Sequence, residues 1–329
     1  MSQVPTAAEG PEDACDMTLF FHGANTYAVK RQVNQMADAY LERAGSDFGL
    51  VRMDGTNVHL QELAAALRAS PFLATSRLVI VDGLASNKAL ASSLAELLGM
   101  VPNTTVAVFC ESTVDQRTAS YKALIKADKV VKFDLLTGSA LMNWIKAETE
   151  RQEGTITPGA MRELVDLSGT DQWRLSEELN KLVNYDRQVT EETVRLLVSP
   201  SVERSIFKLV EAMTAGRADS ALADFHGLLR QRESVMLVLN MIQWHLRNLL
   251  YAKSAPGSMP PAELARFASM SPYVAEKSMD TQRGLSGDII KNAYRAAADC
   301  EFDIKTGRIR DEIAVERLIY GIAAEARRR

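Results

Sequence analysis

Apolar positions in the first 136 or so residues alternate between two spacings. Short apolar runs read as strands: Thr18-Leu19-Phe20-Phe21-His22, Leu50-Val51-Arg52-Met53, Leu78-Val79-Ile80-Val81, Val106-Ala107-Val108-Phe109 and Val130-Val131-Lys132-Phe133. Between them, apolar residues recur at helical spacing. Val33, Met36, Ala37, Tyr40 and Ala44 form one stripe; Leu60, Leu63, Ala64 and Leu67 another; Leu90, Leu94, Leu97 and Leu98 a third. A further helix is expected near Tyr121–Ile125. Strands alternating with helices predict a parallel sheet with helices on both faces.

Beyond Asp134 the period-2 and continuous-run signals disappear and no further strand is predicted. Thr157 is placed to cap a helix whose first residue is Pro158, with Ile156 able to staple to Met161. Thr190 is placed to cap another, with Val189 able to staple to Val194. Between them, Leu175, Leu179, Leu182 and Val183 share one helical face. A small helical domain is therefore expected over about 138–200. Ser199-Pro200-Ser201 is a plausible joint, and helical stripes resume after it: Ile206, Leu209 and Val210; Leu222 to Leu229; Leu239, Ile242, Leu246 and Leu249. Pro256-Gly257 and Pro260-Pro261 mark the longest expected loop. Ile290, Ala293, Tyr294, Ala297 and Ile304 form a stripe that Gly307 ends, and Val315, Leu318, Ile319 and Ile322 form the last. No internal repeat is evident.

One connector breaks the pattern. Pro71 stops the helix carrying Leu60 to Leu67, because its ring clashes with the preceding turn and it has no N–H. The strand at Leu78 follows only after Phe72-Leu73-Ala74-Thr75-Ser76-Arg77. Connectors run over the surface and are mostly polar, so a Phe-Leu pair there either folds back onto the core or is kept for a partner.

Composition narrows the picture. The chain has 329 residues, enough for two or three domains, with 47% hydrophobic and 24% charged residues. A net charge of −4 gives no support to a protein that coats nucleic acid alone. Arg327-Arg328-Arg329 is a small basic cluster that suits the end of a C-terminal helix. Cys15, Cys110 and Cys300 are far apart and form no disulfide framework, which fits a reducing, cytoplasmic compartment. Neither they nor the scattered His22, His59, His226 and His245 build a zinc site. No apolar run approaches the ~20 residues of a membrane span. Residues 1–16 read as a disordered tail without the apolar core of a signal peptide.

A strand, Gly23 and then a helix is where a phosphate-binding loop would sit, but its chemistry is missing. Counting from Gly23, Ala28 stands at the second glycine position, Val29 at the lysine position and Lys30 at the Ser/Thr position. Leu78-Val79-Ile80-Val81-Asp82 resembles a strand ending in a metal-organising Asp, yet Gly83 follows where hydrolysing relatives carry an acid. Without the Lys, Asp82-Gly83 reads as a turn. There is no GxSxG, HExxH or GxGxxG. Glu177-Glu178 and Glu191-Glu192 are i, i+1 neighbours on helices and do not face each other. Trp144, Trp173, Trp244 and His245 fall in helical patterns and read as packing residues. No catalytic, cofactor-binding or metal-ligating residue is assigned.

The layout is thus that of a nucleotide-binding α/β module with a helical lid and a further helical domain, stripped of catalytic chemistry. At this point the chain resembles the delta subunits of bacterial DNA polymerase III clamp loaders over roughly 17–329. Four stretches carry the resemblance: Leu19-Phe20-Phe21-His22-Gly23-Ala24-Asn25-Thr26-Tyr27; Ser70-Pro71-Phe72-Leu73 leading to Arg77-Leu78-Val79-Ile80-Val81; Leu175-Ser176-Glu177-Glu178-Leu179-Asn180-Lys181-Leu182; and Glu301-Phe302-Asp303-Ile304-Lys305-Thr306-Gly307 followed by Ala314-Val315-Glu316-Arg317-Leu318.

The resemblance implies an AAA+-like parallel-sheet domain with a degenerate phosphate loop over 17–137, a helical lid over 138–200 and a helical collar over 201–329. It implies a non-catalytic subunit of the DNA polymerase III holoenzyme that needs no cofactor and hydrolyses no ATP. Such a subunit opens the ring-shaped sliding clamp, the beta subunit, with a hydrophobic wedge. Here the wedge corresponds to Pro71, Phe72 and Leu73, with Phe72 as the anchor. At residue 71 some members carry another apolar residue. The implied further partners are the delta prime and tau/gamma subunits, through the C-terminal domain, and primed DNA inside the assembled loader; no membrane is involved. Lys208, Arg247 and Arg308 are basic residues that could face that DNA, but solvated surface is the commoner role for any one such residue. Two other readings stay open: a divergent nucleotide hydrolase using Asp82 and Lys30, and a helical adaptor for another replication factor.

Overall fold

The computed structural model describes residues 17–72 and 74–328. The expected tail at 1–16 with its Cys15, and Leu73 and Arg329, lie outside the described residues. The chain divides into two units, with the boundary between Leu136 and Thr137.

The first unit is built from β1 (Met17–His22), α1 (Thr26–Ala44), β2 (Leu50–Asp54), α2 (Leu60–Arg68), β3 (Arg77–Asp82), α3 (Leu94–Leu98), β4 (Thr105–Glu111), α4 (Ala119–Leu124) and β5 (Lys129–Lys132). All five strands run parallel, in the order β2-β3-β4-β1-β5. Alternate strand residues serve different faces, as the pleat requires. Leu19, Phe21, Leu78, Ile80 and Val108 pack with Val29, Val33, Ala37 and Tyr40 of α1. Phe20, Val79, Val81, Ala107 and Phe109 pack with Leu63 and Leu67 of α2, Leu94 and Leu97 of α3, and Ala123 and Leu124 of α4. One helix therefore covers one face and three cover the other. Burial on both faces explains why the strands read as continuous apolar runs. Of the third predicted stripe only Leu94, Leu97 and Leu98 are helical; Leu90 lies in the preceding turn, still buried.

This strand order sets the sheet's crevice. The chain leaves β1 toward the β2 edge and leaves β4 toward the β5 edge, so the carboxyl ends of β1 and β4 flank the topological switch point, where open α/β sheets bind ligands. His22, Gly23 and Glu111 sit there. The connectors before β2 and β3 lie at the other end of the strands.

The second unit contains α5 (Gly138–Arg151), β6 (Thr155–Ile156), α6 (Pro158–Ser168), α7 (Gln172–Tyr185), β7 (Gln188–Val189), α8 (Glu191–Leu197), α9 (Val202–Thr214), α10 (Ala218–Arg230), α11 (Val235–Ser254), α12 (Pro261–Ala268), α13 (Pro272–Gln282), α14 (Gly287–Lys305) and α15 (Asp311–Arg327). The Thr157 and Thr190 side chains accept from the backbone N–H groups of Ala160 and Thr193, as the capping pattern predicts. Two features differ from the sequence reading. β6 and β7 form a parallel pair, Thr155 opposite Gln188 and Ile156 opposite Val189. Each is two residues long, too short to show a period. The expected long loop is also interrupted: Pro261 and Pro272 open α12 and α13, each at the first helical position where proline fits.

Buried residues of α9, α10, α11, α14 and α15 form one core, centred on Phe225, Leu239, Ile242, Leu246 and Ile319. A smaller cluster joins Ala252 of α11 to Leu264 and Ala265 of α12 and Val274 and Ala275 of α13. Leu141, Ile145, Leu164, Leu175, Leu179 and Val194 are likewise buried, on the helices between 138 and 197. No described helix is long and apolar enough to cross a membrane.

Candidate functional site

The connector between α2 and β3 holds Pro71, Phe72 and Leu73, the residues expected from sequence to form a wedge. α2 ends at Arg68, and Ala69 is already extended, with its N–H still bonded to Ala65 O at 3.1 Å. Pro71 is half-buried. Phe72 is 69% exposed and so does not fold back onto the core. Leu73 lies outside the described residues.

The Phe72 ring has one aromatic neighbour. Phe48, in the turn before β2, meets it edge-on, with ring centroids 6.5 Å apart and planes at 81°. Phe48 is itself 66% exposed. Sequence reading passed over this residue. The available signal was a lone aromatic inside Gly45-Ser46-Asp47-Phe48-Gly49, a stretch otherwise made of turn-forming residues.

Both connectors are tied down from beneath. Tyr40 of α1 is buried, and its phenolic O–H donates to Ser76 O at 2.9 Å. Burial raises the Tyr40 phenol above its ordinary value, opposed by the nearby Arg77 guanidinium, so the donor stays protonated. The Leu78 N–H donates to Gly49 O at 2.9 Å, joining the two strand entrances. Gly49 leaves room for this arrangement: a Cβ there would lie 1.9 Å from the Tyr40 Oη and 3.1 Å from Ser76 O.

At the opposite end of the strands, the degenerate phosphate loop is closed by its own backbone. The Gly23 N–H donates to Glu111 O at 2.9 Å and the Asn25 N–H to Phe133 O at 3.1 Å. The Thr26 N–H donates to Ala24 O, and the Ala28 N–H to the Asn25 side chain. A phosphate-binding nest needs such N–H groups pointing outward. Gly23 has a φ of +137°, and a Cβ there would lie 2.1 Å from Phe133 O. At the lysine position Val29 is buried in the face covered by α1.

Three polar groups gather nearby on β3 and β4. The buried Glu111 carboxylate accepts the Ala85 N–H at 2.5 Å. Burial pushes Glu111 up to about 7; the Ala85 bond opposes this and the Asp82 carboxylate adds to it. Burial, with the Asp82 and Glu111 carboxylates beside it, also raises the Cys110 thiol far above its ordinary range. Such a thiol is unreactive. Among the described residues no group of His, Cys, Asp and Glu is placed to hold a metal ion.

In the second unit a small cleft of about 40 Å³ is lined in part by Asp166, Ser201, Arg204, His245, Tyr273 and Lys277. Arg204 pairs with Asp166 at 2.7 Å and lies over the Phe207 ring. His245 is buried against Trp244 and Phe207, which pushes its imidazole down to about 4. Of the other residues singled out from sequence, Lys208 and Arg247 are exposed, Arg308 pairs with Asp303 and covers Phe302, and Trp173 is 45% exposed.

Comparison with known proteins gives the family. The family model "DNA polymerase III, delta subunit" matches residues 19–134, and the model of that subunit's C-terminal domain matches 203–322. The chain belongs to the DNA polymerase III delta subunit family. The DNA polymerase III subunit delta of Bacillus subtilis (strain 168) is 23% identical over 310 residues, covering 90% of this chain and 89% of that one. The solved structure of the Bacillus subtilis DNA clamp loader delta protein superposes with a TM-score of 0.71 at 21% identity, covering 93% of this chain and 95% of that one. The fold of this delta-family chain is accordingly an AAA+-like parallel-sheet domain followed by helices. The first family match contains both exposed phenylalanines and the closed phosphate loop.

Proposed function

We propose that this chain is the delta subunit of a replicative clamp loader, acting in the cytoplasm to bind and open the sliding clamp for loading onto primed DNA. The observation that carries the reading is Phe72: a large aromatic, 69% exposed, on a connector held between a helix and a buried strand. A connector whose two ends are fixed by a helix and a strand limits the entropy lost on docking. An aromatic anchor entering an apolar groove is the usual hot spot, with an alanine cost of about 2 kcal/mol or more. Pro71 and Leu73 flank it in the proposed wedge.

The wedge opens a ring only if it binds the sprung state better than the closed one. The chain does this without hydrolysing ATP. The consumed loop N–H groups and the buried Val29 support that part of the reading. ATP hydrolysis is left to tau/gamma, which with delta prime joins this subunit through residues 201–329. Residues 138–200 form the lid, with the joint at Ser199-Pro200-Ser201.

The test is the affinity of the full chain for its cognate sliding clamp by surface plasmon resonance, with Phe72→Ala beside the natural sequence. The substitution is expected to weaken binding roughly tenfold or more. Absence of clamp binding by the natural chain overturns the reading.

A further inference from the structure

We propose that the clamp-binding surface is a two-ring platform in which Phe48 is a second anchor beside Phe72. The proposal rests on the clamp-binding reading above and adds a residue to it.

Three observations carry it. Phe48 and Phe72 come from different connectors yet meet edge-on at 6.5 Å. Both stay about two-thirds exposed in that arrangement, at 66% and 69%, so the contact between them leaves most of each ring open to a partner. The two connectors are joined where they enter their strands by Tyr40 O–H on Ser76 O, Leu78 N–H on Gly49 O, and the close approach of Gly49 to the Tyr40 hydroxyl. Lone exposed apolar residues are ordinary, whereas two touching aromatics on a braced backbone form a patch.

The chemistry of the patch favours an apolar protein groove over nucleic acid. No charged residue lies between Arg68 and Arg77. The rings stand at 81° to one another, so they do not offer parallel faces to successive bases. A groove wide enough for one ring flanked by another would take Phe72 deeply and cover Phe48 at its rim, excluding water from the Phe72 contact. Phe48 thereby sets the angle at which Phe72 enters.

The experiment measures the Kd of the full chain for the immobilised cognate sliding clamp, using the natural chain, Phe48→Ala, Phe72→Ala, the double variant and Phe48→Met. A single-stranded oligonucleotide serves as a second surface. Thermal unfolding of each variant checks the fold. Phe48→Ala is expected to weaken clamp binding roughly fivefold or more, with little change in melting temperature. The double variant should lose less than the product of the single losses, because the rings act as one unit. Phe48→Met, which keeps apolar bulk, should retain most of the affinity. If Phe72→Ala weakens binding and Phe48→Ala does not, the platform is wrong and the single-anchor reading stands. Loss in Phe48→Met equal to that in Phe48→Ala overturns the anchor role, as does loss of oligonucleotide binding alone. If the natural chain binds no clamp, both readings fall.

Discussion

Tyr40 donates its phenolic O–H to the carbonyl of Ser76 at 2.9 Å, and the same hydroxyl fills the space a side chain at Gly49 would need. One side chain of α1 thus braces both connectors that carry exposed phenylalanines. Tyr40→Phe keeps the ring and leaves the Ser76 carbonyl without this donor. The expected cost is about 1 kcal/mol of stability, read from denaturant unfolding. Clamp affinity should fall as well, because the connectors lose their common brace. Gly49→Ala should cost about 1–3 kcal/mol through overpacking. Unchanged stability in both variants would contradict the brace.

Glu111 gives the first unit a pH response. Its folded pKa is raised to about 7 by burial, so the fold favours the protonated acid. Its contribution is complete below the unfolded value near 4.3 and is lost as pH rises toward 7. Glu111→Gln keeps an acceptor for the Ala85 N–H and removes the charge. It should leave stability little changed near pH 5 and raise it above pH 7 by on the order of 2 kcal/mol. Equal effects at both pH values would rule out the buried-acid explanation.

His245 acts in the opposite sense in the second unit. Burial lowers its folded pKa to about 4, so the neutral imidazole is favoured. The stability it brings is present above the unfolded value near 6.5 and declines as pH falls toward 4. The cleft around it also holds Asp166, Glu203, Arg204 and Lys277. Melting temperature measured from pH 7.5 to 5 should fall more steeply in the natural chain than in His245→Gln. Parallel curves would show that His245 does not titrate as described.

Much of this structure was legible because its signals are repetitive. Five apolar runs alternating with helical stripes gave the parallel sheet, and the Thr157 and Thr190 caps were readable from single residues. β6 and β7 left no pattern, because two residues cannot show a period. α12 and α13 were masked by the prolines that begin them, which punctuate loops and open helices equally well. Phe72 stood out as an apolar residue in a connector, but its partner Phe48 did not. Their meeting depends on β2 lying beside β3 and on a hydrogen bond between residues 36 apart in sequence.

The closed phosphate loop makes a prediction about nucleotide. The N–H groups of Gly23, Asn25, Thr26 and Ala28 already have acceptors within the chain. Millimolar ATP with Mg²⁺ should therefore leave the melting temperature unchanged. A rise of several degrees would mean that ATP binds the folded chain, and would favour the hydrolase reading.

The central claim is that Phe72 anchors the sliding clamp, and the most direct measurement is the Kd of the full chain for that clamp with and without the Phe72 ring. Phe72→Ala should raise Kd roughly tenfold or more, a loss of about 1.4 kcal/mol at least, with the melting temperature unchanged because the ring is exposed. A Kd equal to that of the natural chain would contradict it.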